Sequence, residues 1–381
     1  MQNKKLKVAI TTNIITTYRK GFYDRLFSRP DIDVTVYCQD YMPGMNLLSI
    51  HKQYPRNVKI IKFISAKKEK IVWQFLPWKE IITKYDVVFI SGNPRVLSDV
   101  VLGTLLRLMG KRVVLWTMAH SYRGNKLTEN IRLLWSRIFK NIFVYTDKEV
   151  EYLKEKGFKN HYILGMNNGL DQKNIDSIVS KWTEEKITKW MELNDYQNKK
   201  IIISCARLET KNNFRLVIEA LPKIVQKIPN LLWFLIGGGD EEENLKKLAS
   251  KLRVEKHIVF LGAIYEEEKL APYFLSSLLF IHPAAIGLSL LHAFGYGIPV
   301  IVHEQINLHN PEIAAFEDGF TGKNFKFNDP DDLANVIITL LNNPNKINQM
   351  KRNVQKIARE QYNVDIMVDR FIQMANYATY K

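Results

Sequence analysis

The stretch LSSLLFIHPAAIGLSLLHAFGYGIPVIV, Leu275 to Val302, lies within a window from Leu270 to His303 that contains no Asp, Glu, Lys or Arg. A membrane span needs about 20 consecutive apolar, helix-compatible residues. Pro283, Gly287, Gly295, Gly297 and Pro299 interrupt this run too often for that. The window divides instead into an apolar strand at 278–282, a helix at 288–294 and a second strand at 300–302 with Ile298. Short apolar runs without alternation are what a parallel sheet covered on both faces produces. The stretch is core, and it predicts an α/β fold.

Outward from it, similar runs recur. LKVAITT (6–12), VTVYC (34–38), VKIIKFI (58–64), DVVFIS (86–91), RVVLWTM (112–118) and NIFVYT (141–146) form one series. KIIISCA (200–206), LLWFLIG (231–237), HIVFLG (257–262), SLLFIHP (277–283) and PVIV (299–302) form another. Amphipathic segments lie between them at 21–27, 95–109, 214–228 and 242–252. Alternating strand and helix predicts two Rossmann-like, doubly wound domains. The boundaries expected are 1–170 and 171–362, with the turn formers NNGLDQKN (167–174) near the junction and a closing helix in 363–381. Such domains bind ligands beyond the carboxyl ends of their strands, so the expected site is a cleft between the two.

The chain has 381 residues, 46% hydrophobic and 25% charged, which places it among globular proteins. Two cysteines, Cys38 and Cys205, make no disulfide framework, and a cytoplasmic setting is expected. The start, MQNKKLKVAITTN, lacks the apolar segment of a signal peptide and reads as a first buried strand. Charge is uneven: residues 1–150 hold 26 Lys/Arg against 11 Asp/Glu, whereas 151–381 hold 29 against 28. That asymmetry points to an anionic partner for the first half, or to a solvated lysine-rich surface with none. A nucleic acid is not the expected partner, because no helix shows a basic stripe and no aromatic-interleaved RNA motif occurs.

Three motifs suggest chemistry. Ala206-Arg207-Leu208-Glu209-Thr210-Lys211 follows a strand, where two cations suit a departing diphosphate or simply a solvated turn. LLWFLIGGGDEEENLKKLA places three glycines, Gly238 in the middle, between strand and helix, where glycine permits close backbone approach to a ligand or merely a tight turn. HPAAIGLSLLHAF sets Gly287, Leu288 and Ser289 at a helix start, whose free N–H groups favour an anion.

Together these motifs resemble the GT-B glycosyltransferases, specifically glycosyltransferase family four. NNGLD (167–171), ARLETKNNFRLVIEAL, LIGGG, IVFLG (258–262), PAAIGLSLLHAFGYGIPVIV, NPEIAAFEDGFTG and QYNVDIMVDRF are similar, in order, to that family's motifs. The resemblance implies transfer of a sugar from a nucleotide diphosphate donor, UDP-linked by expectation, with retention and without a metal or other cofactor. It implies a donor diphosphate held by Arg207 and Lys211, and donor contacts from Gly238, Leu261, Gly287, Leu288, Ser289 and His292. His120, in WTMAHSYRG, falls where the family often has a histidine near the donor sugar. Tyr18 and Arg19 open the first helix and are expected to hold acceptor phosphate or to lie on the surface. The closing helix is expected to cross back to the first domain.

The chain departs from the family pattern in four places. Its two glutamates align with Ala284 and His292, its lysine with Asn212 rather than Lys211, and its glycine-rich first loop with TTNIITTYRKG. A neutral imidazole offers one donor and one acceptor, so His292 is expected to bind a ribose hydroxyl and His292→Glu to preserve binding. Ala284 offers nothing polar. A non-catalytic GT-B protein with a degenerate donor site is the alternative.

AKKEKIVWQFLPW (66–78) sets Lys67, Lys68 and Lys70 before Trp73 and Trp78. Lysine beside tryptophan suits an anionic membrane interface; an amphipathic helix packed on its own sheet is the competing reading. The sequence therefore suggests an enzyme peripheral on the inner face of the cell membrane, with a lipid-linked or saccharide acceptor in surface polysaccharide synthesis, such as lipopolysaccharide or capsule.

Overall fold

The computed structural model describes residues 5–42, 49–66, 71–119 and 126–380. The chain forms two compact units. One runs to Asn168 and resumes at Val364; the other is Gly169–Asn363.

The strands of the first unit are β1 (Leu6–Thr11), β2 (Ile32–Cys38), β3 (Val58–Ile60), β4 (Phe63–Ala66), β5 (Ile71–Gln74), β6 (Val87–Ser91), β7 (Val113–Thr117), β8 (Asn141–Val144) and β9 (Tyr162–Gly165). Seven of them make one parallel sheet in the order β3-β2-β1-β6-β7-β8-β9. The order reverses between β1 and β6, which opens a crevice at their carboxyl ends. Helices Lys20–Ser28 and Val364–Tyr380 cover one face, burying Phe22, Leu26, Met367, Phe371 and Met374. Phe371 stacks on Phe89 of β6 with ring centroids 4.3 Å apart. Leu102, Leu106, Val150 and Leu153, from helices Leu97–Leu108 and Asp147–Glu155, fill the other face.

VKIIKFI is not one strand. Only Val58–Ile60 joins the sheet, while β4 pairs antiparallel with β5 as a hairpin. The AKKEKIVWQFLPW segment is therefore not an amphipathic helix. Its β-branched Ile71 and Val72 and the aromatic Trp73 favour the strand, and the helix waits until Trp78, just after Pro77. The Val72 N–H donates to Arg95 O (2.8 Å) and the Gln74 N–H to Ser98 Oγ (3.0 Å), which tie the hairpin to the chain after β6.

The second unit holds β10 (Lys200–Cys205), β11 (Leu231–Ile236), β12 (Ile258–Gly262), β13 (Leu279–Ile281), β14 (Val300–His303) and β15 (Gly322–Phe325). They form a parallel sheet in the order β12-β11-β10-β13-β14-β15, with the reversal between β10 and β13. β11 is buried along its whole length, as its unbroken apolar run requires. The uncharged window supplies β13, helix Leu288–Gly295 and β14, at the centre of this unit's core. Among the described residues no helix is long and apolar enough to cross a membrane.

Candidate active site

In the second unit, the loops after β10, β11 and β13 all leave the same sheet edge, on either side of the reversal. After β10, Glu209 takes Arg207 on one oxygen at 3.3 Å and Lys211 on the other. Hydrogen bonding from Lys211 leads the effects that hold the Glu209 carboxyl below its usual range. Asn212, the alternative cation position, instead donates its amide to Arg207 O at 2.7 Å. The 3-10 turn at Thr210–Asn212 thus sets Lys211 and Arg207 on one anion and turns position 212 back onto the chain.

The glycine turn after β11 braces this loop. A side chain on Gly237 would lie 1.9 Å from Ala206 O, and one on Gly239 would lie 2.3 Å from Leu208 O. Gly237 also adopts φ +149°, which L side chains rarely take. The Leu208 N–H donates to Gly238 O, and the Glu241 N–H to Leu208 O, both at 3.0 Å. So two of the three glycines serve backbone-to-backbone approach. Gly238 alone has open space, its nearest neighbour for an added carbon being Ala263 at 3.8 Å.

After β13, His282–Gly287 leads into helix Leu288–Gly295, whose first residues include Leu288 and Ser289. Histidine rings shape this loop. His309 Nδ1 accepts the Ile286 N–H at 3.1 Å, so its proton sits on Nε2 and is donated to His303 O at 3.0 Å. The His303 ring stacks on His309, centroids 3.9 Å apart, with neither of its nitrogens hydrogen-bonded among the described residues. All three histidines, His282 included, are buried. Desolvation pushes His282 down to about 4 and His303 to about 3.

His292 lies one turn into that helix, yet its Nε2 already meets Glu267 Oε1 at 2.7 Å. Tyr296 donates to the same oxygen at 2.6 Å, and Phe274 packs edge-on against the imidazole. Burial raises the Glu267 carboxyl, but the bonds from His292 and Tyr296 outweigh it and bring it below the usual range. Glu267 comes from helix Glu267–Leu275, and nothing in local spacing links it to position 292. A glutamate at position 292 would set two carboxylates together on this geometry. His292→Glu should destabilise the second unit by about 2 kcal/mol, and Glu267→Gln in the same chain should restore most of it. Urea unfolding of the two variants measures this; a His292→Glu protein as stable as the parent would refute it. Leu261 on β12 and Leu288 are partly buried against this same cluster.

In the first unit, the reversal between β1 and β6 carries a cavity of about 190 Å³. Thr12, Asn13, Thr16, Tyr18, Arg19 and Trp116 are among its lining residues. The Arg19 guanidinium lies 5.6 Å from the ring centres of Trp116 and Tyr145 and 5.8 Å from that of Tyr18. Tyr18 itself is exposed. Trp73 and Trp78 sit together at the hairpin, ring centres 6.3 Å apart. His120, Lys67, Lys68 and Lys70 lie outside the described residues. Among those described, no group of three or more His, Cys, Asp or Glu is arranged to hold a metal ion.

Residues 186–357 match the family model for glycosyl transferases group 1. A structure of Alr3699/HepE from Anabaena in complex with UDP aligns over 98% of this chain and 100% of its own, with a TM-score of 0.71 and 15% identity. The architecture is that of a GT-B glycosyltransferase. The lipopolysaccharide outer core galactosyltransferase WaaB is similar in fold, with a TM-score of 0.68 and 13% identity over 98% of this chain and 99% of that one. By sequence, the chain is 27% identical over 156 residues to the GDP-mannose-dependent alpha-(1-6)-phosphatidylinositol monomannoside mannosyltransferase of Mycolicibacterium smegmatis. That alignment covers 38% of this chain and spans 40% of the mannosyltransferase. The GT-B sheet of the second unit is the part that the family match covers.

Proposed function

We propose that this chain moves a sugar from a UDP-linked donor to a lipid-linked or saccharide acceptor, with retention and without a metal, as a member of glycosyltransferase family four. The observation that carries this reading is the pairing of Arg207 and Lys211 on one carboxylate at the second unit's switch point. Cations there offset the charge that develops on a departing nucleotide diphosphate. The free N–H groups of Gly287, Leu288 and Ser289 supply further stabilisation at a helix start. Gly238 and Leu261 border the nucleotide. His292, held by Glu267, stands with Ala284 in place of the family's two glutamates and meets the ribose. His120 contacts the donor sugar, and the first unit takes the acceptor.

The HepE complex with UDP supports the choice of nucleotide. The β4–β5 hairpin leaves Ile64 and Phe75 exposed beside Trp73 and Trp78, which suits contact with an anionic membrane from the cytoplasmic side, where a surface polysaccharide is assembled on lipid. One experiment tests the reading. Radiolabelled UDP-sugars are incubated with the protein, anionic liposomes and extracted lipid acceptors, with and without EDTA. Label entering the lipid phase equally with EDTA, and protein sedimenting with the liposomes, is the expected result. UDP binding without release from any UDP-sugar would leave a non-catalytic protein instead.

A further inference from the structure

We propose that the cavity at the first unit's switch point is an anion subsite that grips a phosphate group of the acceptor. The acceptor assignment rests on the glycosyl-transfer reading; the anion site rests on geometry within the first unit. Reversal of strand order at β1 and β6 makes this the crevice where such a sheet takes ligands. The chain after β1 supplies Thr12, Asn13, Thr16 and Arg19 to its wall, and Trp116 comes from β7.

Arg19 is a partly buried cation with no carboxylate partner among the described residues. Its polar contacts are neutral: Nη1 to the thioether sulfur of Met166 at 3.8 Å, a weak acceptor, and the Tyr18 hydroxyl. Trp116 and Tyr145 hold the guanidinium by their ring faces, which orients it while leaving its charge without an anion. An arginine withdrawn from water in this way is costly until an anion meets it. Around it, Thr16 Oγ1 and Trp116 Nε1 are buried without a hydrogen-bond partner among the described residues. Buried polar atoms are rarely left so, and two donors from residues that line one cavity point to a ligand that completes them. The hydroxyl and the indole N–H both donate. A fixed guanidinium with converging donors matches a phosphate, which accepts on every oxygen. The excess of 26 Lys/Arg over 11 Asp/Glu in residues 1–150 draws the same charge toward this unit.

The test uses the full chain and inorganic phosphate, titrated by calorimetry with saturating UDP present to occupy the second unit. Phosphate should bind under these conditions. Arg19→Met should weaken it at least about tenfold, and Arg19→Lys less. Thr16→Val, which removes an unpaired hydroxyl and keeps the shape, should weaken it several-fold with an unchanged melting temperature. Phosphate affinity that is the same in the parent, Arg19→Met and Thr16→Val overturns the site. In transfer assays phosphate should inhibit competitively against acceptor; competition against the UDP-sugar alone overturns the acceptor assignment. UDP binding, measured separately, reports on the donor site: its absence from the parent sinks the donor reading and leaves the phosphate result standing.

Discussion

Arg207→Ala is expected to lower turnover about a hundredfold and Lys211→Ala at least about tenfold, because each removes a charge-assisted contact to the leaving diphosphate. The loss should fall mainly on kcat and less on KM, since the donor diphosphate is already anionic and gains further charge as the sugar departs. Glu209 sharpens the test. Its carboxylate neutralises both cations in the resting protein, so an incoming diphosphate must displace it. Glu209→Gln should therefore keep kcat and bind UDP more tightly. Near-normal turnover in both cation variants rules out this placement of the phosphates, and a hundredfold loss in Glu209→Gln would make the carboxylate itself a substrate ligand. Asn212→Lys should not raise activity, because that position faces back onto Arg207 O.

The second large effect is on stability in acid. His282 and His303 have folded-state values of about 4 and about 3, with desolvation the main cause, against about 6.5 when unfolded. Above pH 6.5 the rings are neutral in both states and stability is at its full value. As pH falls below that, the unfolded chain takes up protons that the native rings refuse, so stability drops by about 1.4 kcal/mol per pH unit for each histidine. By pH 4 the loss from His282 alone reaches about 3 kcal/mol. Urea unfolding from pH 7.5 to 4.5 should show this slope, and His303→Leu should flatten it by about 1.4 kcal/mol per unit. Identical pH profiles for the two proteins would show that His303 does not titrate as its burial requires.

The doubly wound sheets could be read from the sequence because each core strand is a short apolar run closed by turn formers, as in LLWFLIGGG and SLLFIHP. The position of Arg207 and Lys211 just beyond β10 was legible for the same reason: they follow a strand end in sequence. The β4–β5 hairpin was hidden because its alternation is weak and lysines separate its arms. The hold of Glu267 on His292 bridges two helices, and no periodicity records such a meeting. The cage around Arg19 likewise draws rings from positions 18, 116 and 145, which only strand order brings together. Gly237 and Gly239 were visible as a motif, but their close neighbour proved to be the Arg207 loop.

Helix Val364–Tyr380 belongs to the first unit although it is made after the whole of the second. Until it emerges, Phe22 on the first helix, Phe89 on β6 and Phe143 on β8 lack the partner that Phe371 provides. Translation at about 5–20 residues per second puts the whole of Gly169–Asn363 between the two parts, a wait of tens of seconds. The second unit can close while the first still shows an open aromatic face to solvent or to a chaperone. Order of starting and order of completion are thus reversed, so a stop within 364–380 damages the unit that was begun first.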